Sequence, residues 1–279
     1  MVVAGRERPL RVLVVQHEGR CPPARLGEAL LERGAQVDVV RPDLGAPLPT
    51  SLGRRGPGRP AGGHDALVVL GGSASADDDA AWPWLPAVRA LLAACAADGT
   101  PVLGVCLGAQ LLAAATGGST GPAPLGPEHG PTDVEAVGDA VDDPLVVALA
   151  QEVSAGPDGG PAVPRWRTVQ SHGDAVLALP PGARLLASSA ACGVQVFAGG
   201  RDGTAWGVQY HPEATPALVA GWCASEGSRA RLAGLGLTAE GVVAATTAEQ
   251  PRLVGAAGRH ADVLLAAAAA HALAARDAA

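Results

Sequence analysis

Aromatic side chains make up only 3% of this 279-residue chain, with a single phenylalanine and a single tyrosine. A ring-rich core is therefore excluded, and the interior must be built from valine, leucine and alanine, which a hydrophobic content of 48% supplies. Charge is sparse as well, at 17% charged residues and a net value of −7. There is no basic block: Arg54, Arg55 and Arg59 sit in a Pro/Gly-rich stretch that reads as solvated linker, so no nucleic-acid partner is expected. No run of about 20 strongly apolar residues is present, and no membrane association is expected. The alanine run at 266–270 is flanked by Asp262 and His271, and alanine is too weakly apolar to hold a span. The polar start, with Arg6, Glu7 and Arg8, lacks the pattern of a signal peptide. Five cysteines is an odd number, and their spacing fits neither a zinc site nor a disulfide framework. Cys21, Cys95, Cys192 and Cys223 read as reduced, small hydrophobes, which points to the cytoplasm. No Gly-x-x-x-x-Gly-Lys-Ser/Thr loop and no Ser-Gly-Gly-x-Asp-Ser loop occurs, so no motif suggests that ATP is used. No metal or cofactor is expected.

What is present is a strand–helix rhythm. Residues 10–15 are almost continuously apolar, as a buried parallel strand would be. Residues 25–33 have helical spacing and stop at Gly34. Strands follow at 37–40, 66–70 and 101–105, with a Pro/Gly-dense loop at 42–63 and a helix at 84–97. This order predicts an α/β fold with a doubly wound, mostly parallel sheet. From about Thr132 the pattern shifts to short β-like runs at 166–170, 184–188, 194–198 and 204–209. Pro180-Pro181-Gly182 and Gly199-Gly200 mark turns between them. This hairpin-rich half is expected to fold onto the first. The predicted organisation is a tail at 1–9, one domain over 10–225 and a helical extension over 226–279, whose alanine-rich end either docks or frays.

One segment concentrates chemical meaning. In Gly104-Val105-Cys106-Leu107-Gly108 a cysteine stands between two nearby glycines where an apolar strand gives way to a helix-forming run. That is the pattern of a nucleophile elbow, in which the residue at the turn is exposed at the strand's carboxyl end. The following helix N-terminus stabilises a thiolate, and Leu107 N–H is placed to donate to an oxyanion. The competing reading is a buried cysteine beside tight-turn glycines. Far downstream, His211-Pro212-Glu213 ends another apolar strand. Two residues apart, imidazole and carboxylate can share one side of the backbone, with Glu213 fixing the tautomer of His211. Alone, this segment could equally be a surface loop with an incidental ion pair. Gly71-Gly72 closes the third strand and is either a second oxyanion donor or a plain turn. Ser171-His172-Gly173-Asp174 is either a site for the ends of an amino-acid substrate or a hairpin turn. Asp77-Asp78-Asp79 reads as a solvated turn or helix cap, because consecutive carboxylates do not readily converge on one ion.

At these residues the chain resembles the class I glutamine amidotransferase family, most of all its free-standing members related to the amidotransferase domain of GMP synthase. The matching segments are Leu70-Gly71-Gly72, Gly104 through Ala113, Ser171 through Asp174 and Gly207 through Glu213, in the family's order. The resemblance implies a flavodoxin-like fold and a cysteine-nucleophile glutaminase. It assigns Cys106 as nucleophile, His211 as general base and acid, and Glu213 as its orienter. Gly72 and Leu107 match oxyanion positions; Gln110, Ser171, His172, Gly173 and Asp174 match glutamine-site positions. L-Glutamine is the implied substrate, and a separate acceptor or synthetase protein the implied partner. The residues after Glu213 are too few for a typical synthetase domain. Where many relatives have proline and methionine after the two glycines, this chain has Ser73-Ala74. Two other readings stay open: a stand-alone hydrolase of other γ-glutamyl amides, with a wider leaving-group pocket, and a non-catalytic module on the same fold.

Overall fold

The computed structural model describes residues 8–52, 63–138, 140–150, 152–154 and 163–277. The glycine-rich insertions around 53–63 and 154–164 lie mostly outside the described residues, as do Arg54, Arg55, Arg59 and most of the tail at 1–9.

The first apolar segments form β1 (Arg11–Val15), α1 (Ala24–Glu32), β2 (Gln36–Val40), β3 (Ala66–Val69), α2 (Leu85–Asp98), β4 (Val102–Val105) and α3 (Leu107–Ala115). β1 shows no polar alternation because both of its faces are covered. Val12 and Val14 join one core cluster with Leu26 and Leu30 of α1, while Leu13 and Val15 join another with Leu91 of α2 and Leu111 of α3. Gly34, at φ 79°, makes the left-handed turn that ends α1.

The second half adds β5 (Ser119–Pro122), β6 (Glu128–Ala136), α4 (Pro144–Leu149), β7 (Glu152–Ser154), β8 (Val163–His172), β9 (Asp174–Ala178), β10 (Arg184–Ser188), β11 (Val196–Gly199) and β12 (Ala205–Val208). Among the described residues ten strands form one sheet, in the order β2-β1-β3-β4-β12-β11-β10-β6-β8-β7. The first five are parallel. From β12 to β7 every pairing is antiparallel. The parallel and hairpin-rich halves therefore join in a single sheet, and β5 and β9 form a small one of their own.

β6 has no counterpart in the sequence reading. Gly130, Pro131 and its acidic residues give it little intrinsic strand preference. Its order comes from pairing with β8, Glu128 opposite His172 through Glu135 opposite Arg165, supported by the Arg167–Asp133 ion pair at 3.0 Å. Tertiary partners of this kind are invisible to local pattern.

The C-terminal part folds as α5 (Pro216–Cys223), α6 (Glu226–Gly234), α7 (Ala239–Ala248) and α8 (Gln250–Asp277). α8 docks. Ala261, Leu264 and Ala268 are buried in the core cluster shared with α1 and α4, and Arg33, at the C-cap of α1, pairs with Asp262 at 2.6 Å. By length and composition residues 250–275 are long and apolar enough to cross a membrane, at mean hydropathy 1.2. One side of this helix packs against α1 and α4. α5, α6 and α7 form a third cluster through Val219, Leu232 and Val242, which covers Val169 of β8.

Candidate active site

The sheet order explains why residues far apart in sequence meet. β4 and β12 are adjacent and parallel, with Gly104 opposite Gly207 and Val105 opposite Val208. Cys106 and His211 therefore leave the same carboxyl edge side by side, where open α/β sheets place their sites. Cys106 N–H donates to Val208 O at 2.8 Å, and His211 N–H donates to Val169 O at 2.9 Å. On the other side of β4, β3 delivers Gly71 and Gly72 to the same edge.

Cys106 has φ 50° and ψ −107°, one of two described non-glycine residues at positive φ. That strained conformation turns its side chain out of the strand at the N-cap of α3. The flanking glycines are sterically required. A Cβ at Gly108 would lie 2.0 Å from Val69 O, and one at Gly104 would lie 2.6 Å from Gly108 O. A Cβ at Gly71 would lie 2.9 Å from His211 Cε1 and 3.4 Å from Cys106 Cβ, so bare backbone closes over both functional side chains. Leu107 is the first residue of α3, where N–H groups have no intrahelical acceptor.

His211 Nδ1 lies 2.7 Å from Glu213 Oε1, and the carboxylate is fully buried behind the ring. The opposite nitrogen, Nε2, is buried with no partner other than the neighbouring Cys106 sulfur. Burial disfavours charge on this imidazole, yet attraction to Glu213 and to the Cys106 sulfur, with hydrogen bonding to Cys106 and to Glu213, holds its pKa well above the ordinary histidine value. Trp222 of α5 covers the ring, with centroids 4.6 Å apart, and is anchored by its Nε1–H donating to Arg20 O at 3.0 Å.

These groups line a cavity of about 470 Å3. Of the expected site residues, Cys106, Gly72, Gln110, Ser171, His172, Gly173, Asp174 and His211 all line it, while Glu213 and Leu107 are buried and not part of its lining. Several of these side chains are already engaged. Gln110 Nε2 donates to Asp174 O at 2.9 Å, and Asp174 Oδ2 accepts from Ser75 Oγ at 2.7 Å. The chain turns at Gly173 from β8 in the large sheet to β9 in the small one, so the turn and the cavity wall are one feature. Both nitrogens of the His172 ring are engaged by neighbouring groups. Its Nδ1 lies 3.0 Å from Asp174 O and its Nε2 lies 3.1 Å from Glu128 Oε2. Glu128 also accepts from Ser189 Oγ and Gln195 Nε2. With Cys192, the Glu128 and His172 ligand atoms lie within 4.8 Å of one another, the described grouping that could hold a metal ion. Hydrogen bonds with neighbours already engage all three, which suits a closed polar network.

Sequence reasoning missed Glu18. Its carboxylate accepts from Ser73 N–H at 2.8 Å and Ser73 Oγ at 2.7 Å, and pairs with Arg20 at 2.9 Å. Although burial opposes ionisation, the bonds from Arg20 and Ser73 lower its pKa. Glu18 thus pins the loop after Gly72, and Ser73 supplies both donors. Its position just past the carboxyl end of β1 was the available signal. His17 is fully buried, with Nδ1 accepting from Trp84 Nε1 at 3.3 Å, and burial pushes its pKa down to about 4.

Residues 24–219 match the family described as glutamine amidotransferase class-I. Over 113 residues the chain is 40% identical to a glutamine-hydrolyzing GMP synthase subunit from Halobacterium salinarum, covering 40% of this chain and 52% of that one. Over 148 residues it is 36% identical to the glutamine-hydrolyzing GMP synthase of Mycobacterium marinum, covering 53% of this chain and 23% of that one. The chain spans about half the length of the separate-subunit relatives it matches. Among solved structures, a glutamine amidotransferase from Thermotoga maritima superposes with a TM-score of 0.72 at 24% identity, covering 92% of this chain and 99% of that one. One from Methylobacillus flagellatus gives 0.72 at 22%, covering 93% and 95%. These two likenesses establish the fold. With the family match spanning most of the sequence, the chain belongs to the class I glutamine amidotransferases.

Proposed function

We propose that this protein hydrolyses the side-chain amide of L-glutamine through a Cys106–His211–Glu213 triad. The observation that carries the reading is the placement of Cys106, on its strained turn, beside a histidine whose Nδ1 is fixed by Glu213 and whose Nε2 has no other partner. Thiolates are favoured by a helix N-terminus and a neighbouring imidazolium. Cys106 Sγ attacks the γ-carbonyl carbon, and the oxyanion takes hydrogen bonds from Leu107 N–H and Gly72 N–H. His211 delivers its proton to the amide nitrogen as the C–N bond breaks, and ammonia leaves. Water, deprotonated by His211, then attacks the γ-glutamyl thioester, releasing glutamate and restoring the thiolate–imidazolium pair. Glu213 keeps the ring in the orientation and tautomer both steps need. Gln110 and the 171–174 segment form the wall for the amino-acid end of the substrate, largely through backbone and through Ser171.

In this reading residues 10–225 carry the amidotransferase domain and 226–279 form its helical extension. Ammonia passes to a separate acceptor protein, because the relatives are named as one subunit of a synthase. The five cysteines, all free and buried, suit the cytoplasm. Purified protein offered glutamine should release ammonia and glutamate in equal amounts, and Cys106→Ala should release neither. Release from the variant at the wild-type rate would remove the triad from the account.

A stand-alone hydrolase of larger γ-glutamyl amides is the second reading. A cavity of about 470 Å3 favours it, because that lies in the range of sites for ligands well larger than free glutamine.

A further inference from the structure

A group of buried side chains next to the 171–174 wall has no part in the proposed reaction. Glu128 opens β6 and His172 closes β8, and the two stand opposite each other in the register. Cys192 and Gln195 come from the turn between β10 and β11, where Ser189 Oγ accepts from Cys192 N–H at 3.0 Å. β10, β6 and β8 are neighbours in the sheet, so the fold brings all four residues together. Their exposures are 7% for Glu128, 5% for His172, 2% for Cys192 and 0% for Gln195.

The hydrogen-bond inventory of His172 leaves a place for a positive charge. Nδ1 lies 3.0 Å from the carbonyl oxygen of Asp174, which only accepts, so the ring proton belongs on Nδ1. In the neutral ring Nε2 then directs its lone pair at Glu128 Oε2, 3.1 Å away. Two acceptors face each other, and a second proton or a metal ion between them resolves the conflict. Two further observations favour the metal. Ligand atoms of Glu128, His172 and Cys192 all lie within 4.8 Å of one another, and tetrahedral zinc needs its O, N and S donors roughly 3.3–3.6 Å apart. Gln195 Oε1 is buried with no hydrogen-bond partner among the described residues, and its amide touches the cluster, with Nε2 2.8 Å from Glu128 Oε2. A second proton on His172 uses neither the thiol nor this amide oxygen.

We propose that Glu128, His172 and Cys192 bind one structural zinc ion, with the Gln195 amide, turned by half a revolution, supplying oxygen as the fourth ligand. One sulfur, one imidazole nitrogen and oxygen donors suit zinc, and four protein ligands leave no open position for chemistry. The charges balance: a thiolate and a carboxylate offset the dication, and the imidazole and amide are neutral, so the buried site carries no net charge. Binding releases the Cys192 thiol proton to solvent. The contact between Glu128 and His172 and the bond from Cys192 Sγ to Val194 O are exchanged for bonds to the metal. The hydrogen bond from Nδ1–H to a backbone carbonyl is the kind that fixes the ring of a metal-bound histidine. Ser171, Gly173 and Asp174 line the cavity, so the ion ties that wall to the turn between β10 and β11. The site is independent of the triad reading.

The test strips wild type, Cys106→Ala, Cys192→Ser and Glu128→Gln of metal with a chelator and titrates each with cobalt(II), a spectroscopic stand-in for zinc. Wild type should take up one cobalt per chain, with the visible bands of a tetrahedral site and a near-ultraviolet thiolate-to-cobalt band, and zinc should displace it. Cys106→Ala should keep both sets of bands, because its missing thiol is the one in the catalytic cavity. Cys192→Ser should lose the thiolate band, and Glu128→Gln, which keeps the shape of the side chain, should bind about tenfold or more weakly. Zinc should raise the Tm of the wild type in proportion to the logarithm of its free concentration, and a chelator should reverse the rise. No stoichiometric uptake by the wild type, or uptake without a thiolate band, overturns the inference whether or not any variant folds. A band that survives in Cys192→Ser or disappears in Cys106→Ala also overturns it, since the metal would then sit elsewhere. Loss of glutamine turnover in Cys106→Ala with its cobalt bands intact supports both readings, and unchanged turnover there removes the triad alone.

Discussion

His211 and Glu213 are joined by a 2.7 Å contact between Nδ1 and Oε1, across a single intervening proline, with the carboxylate wholly buried. The pair fixes the imidazole in one orientation, so Glu213→Gln should lower kcat for glutamine by about 10²–10⁴-fold while Cys106→Ala lowers it by about 10⁶-fold. Steady-state ammonia release measures both. Equal losses would mean that Glu213 does more than orient.

The same pair makes a pH prediction. The folded-state pKa of His211 is raised, so its contribution to stability is complete below the unfolded value of about 6.5 and is lost as pH climbs through the folded value. The difference in Tm between wild type and Glu213→Gln should therefore be largest at mildly acidic pH and shrink toward alkaline pH. A difference that grows with pH would contradict a charged His211.

His260 predicts the opposite slope. It is buried in α8, with Nδ1 donating to Ala256 O and Nε2 accepting from Tyr210 OH at 3.0 Å, and burial lowers its pKa to about 4. Between pH 6.5 and 4 the unfolded chain binds a proton that the folded one does not, so stability falls as pH falls. Replacing His260 with glutamine should remove on the order of 3 kcal/mol of that acid sensitivity. Urea midpoints at pH 7 and pH 4.5 for both proteins give the answer. His17 and His129 retain part of the slope, since burial lowers each of them to about 4 as well.

Glycine-to-alanine changes separate the elbow from ordinary turns. Alanine at a helical glycine is normally stabilising by about 0.5–1 kcal/mol. At Gly108 the new Cβ would meet Val69 O at 2.0 Å, so Gly108→Ala should destabilise by at least roughly 1–3 kcal/mol and abolish activity. Gly193→Ala, with open space around it, should leave the urea midpoint nearly unchanged.

In the proposed mechanism Glu18 positions the loop after Gly72 through Ser73. Glu18→Ala should lower kcat by about 10–100-fold, the scale of a misplaced catalytic group, with a far smaller change in KM. A rise in KM alone would place Glu18 in substrate binding.

The parts of the protein legible in sequence are those encoded locally. The unbroken apolar run of β1, the stop at Gly34 and the glycines around Cys106 each state a local backbone requirement, and the structure meets each one. The His-Pro-Glu segment was readable because its partners are two residues apart. β6 was not, because Gly130 and Pro131 hide a strand that only β8 organises. Nor was the destination of the His172 ring, which depends on Glu128, 44 residues away. Glu18 reaches the loop after Gly72 from 55 residues upstream, and Arg231 reaches the cavity through the fold of α5 and α6. Where a role depends on a long-range neighbour, residue type and spacing carry no signal.

The central claim is a covalent γ-glutamyl intermediate on Cys106. Acid-quenching the protein with glutamine within one turnover, followed by intact-mass and peptide mass spectrometry, tests it directly. The account predicts a mass increase of one γ-glutamyl group confined to the peptide containing Cys106, cleared by hydroxylamine and absent in Cys106→Ala. Ammonia release at full rate with no such adduct, or an adduct on any other cysteine, would contradict it.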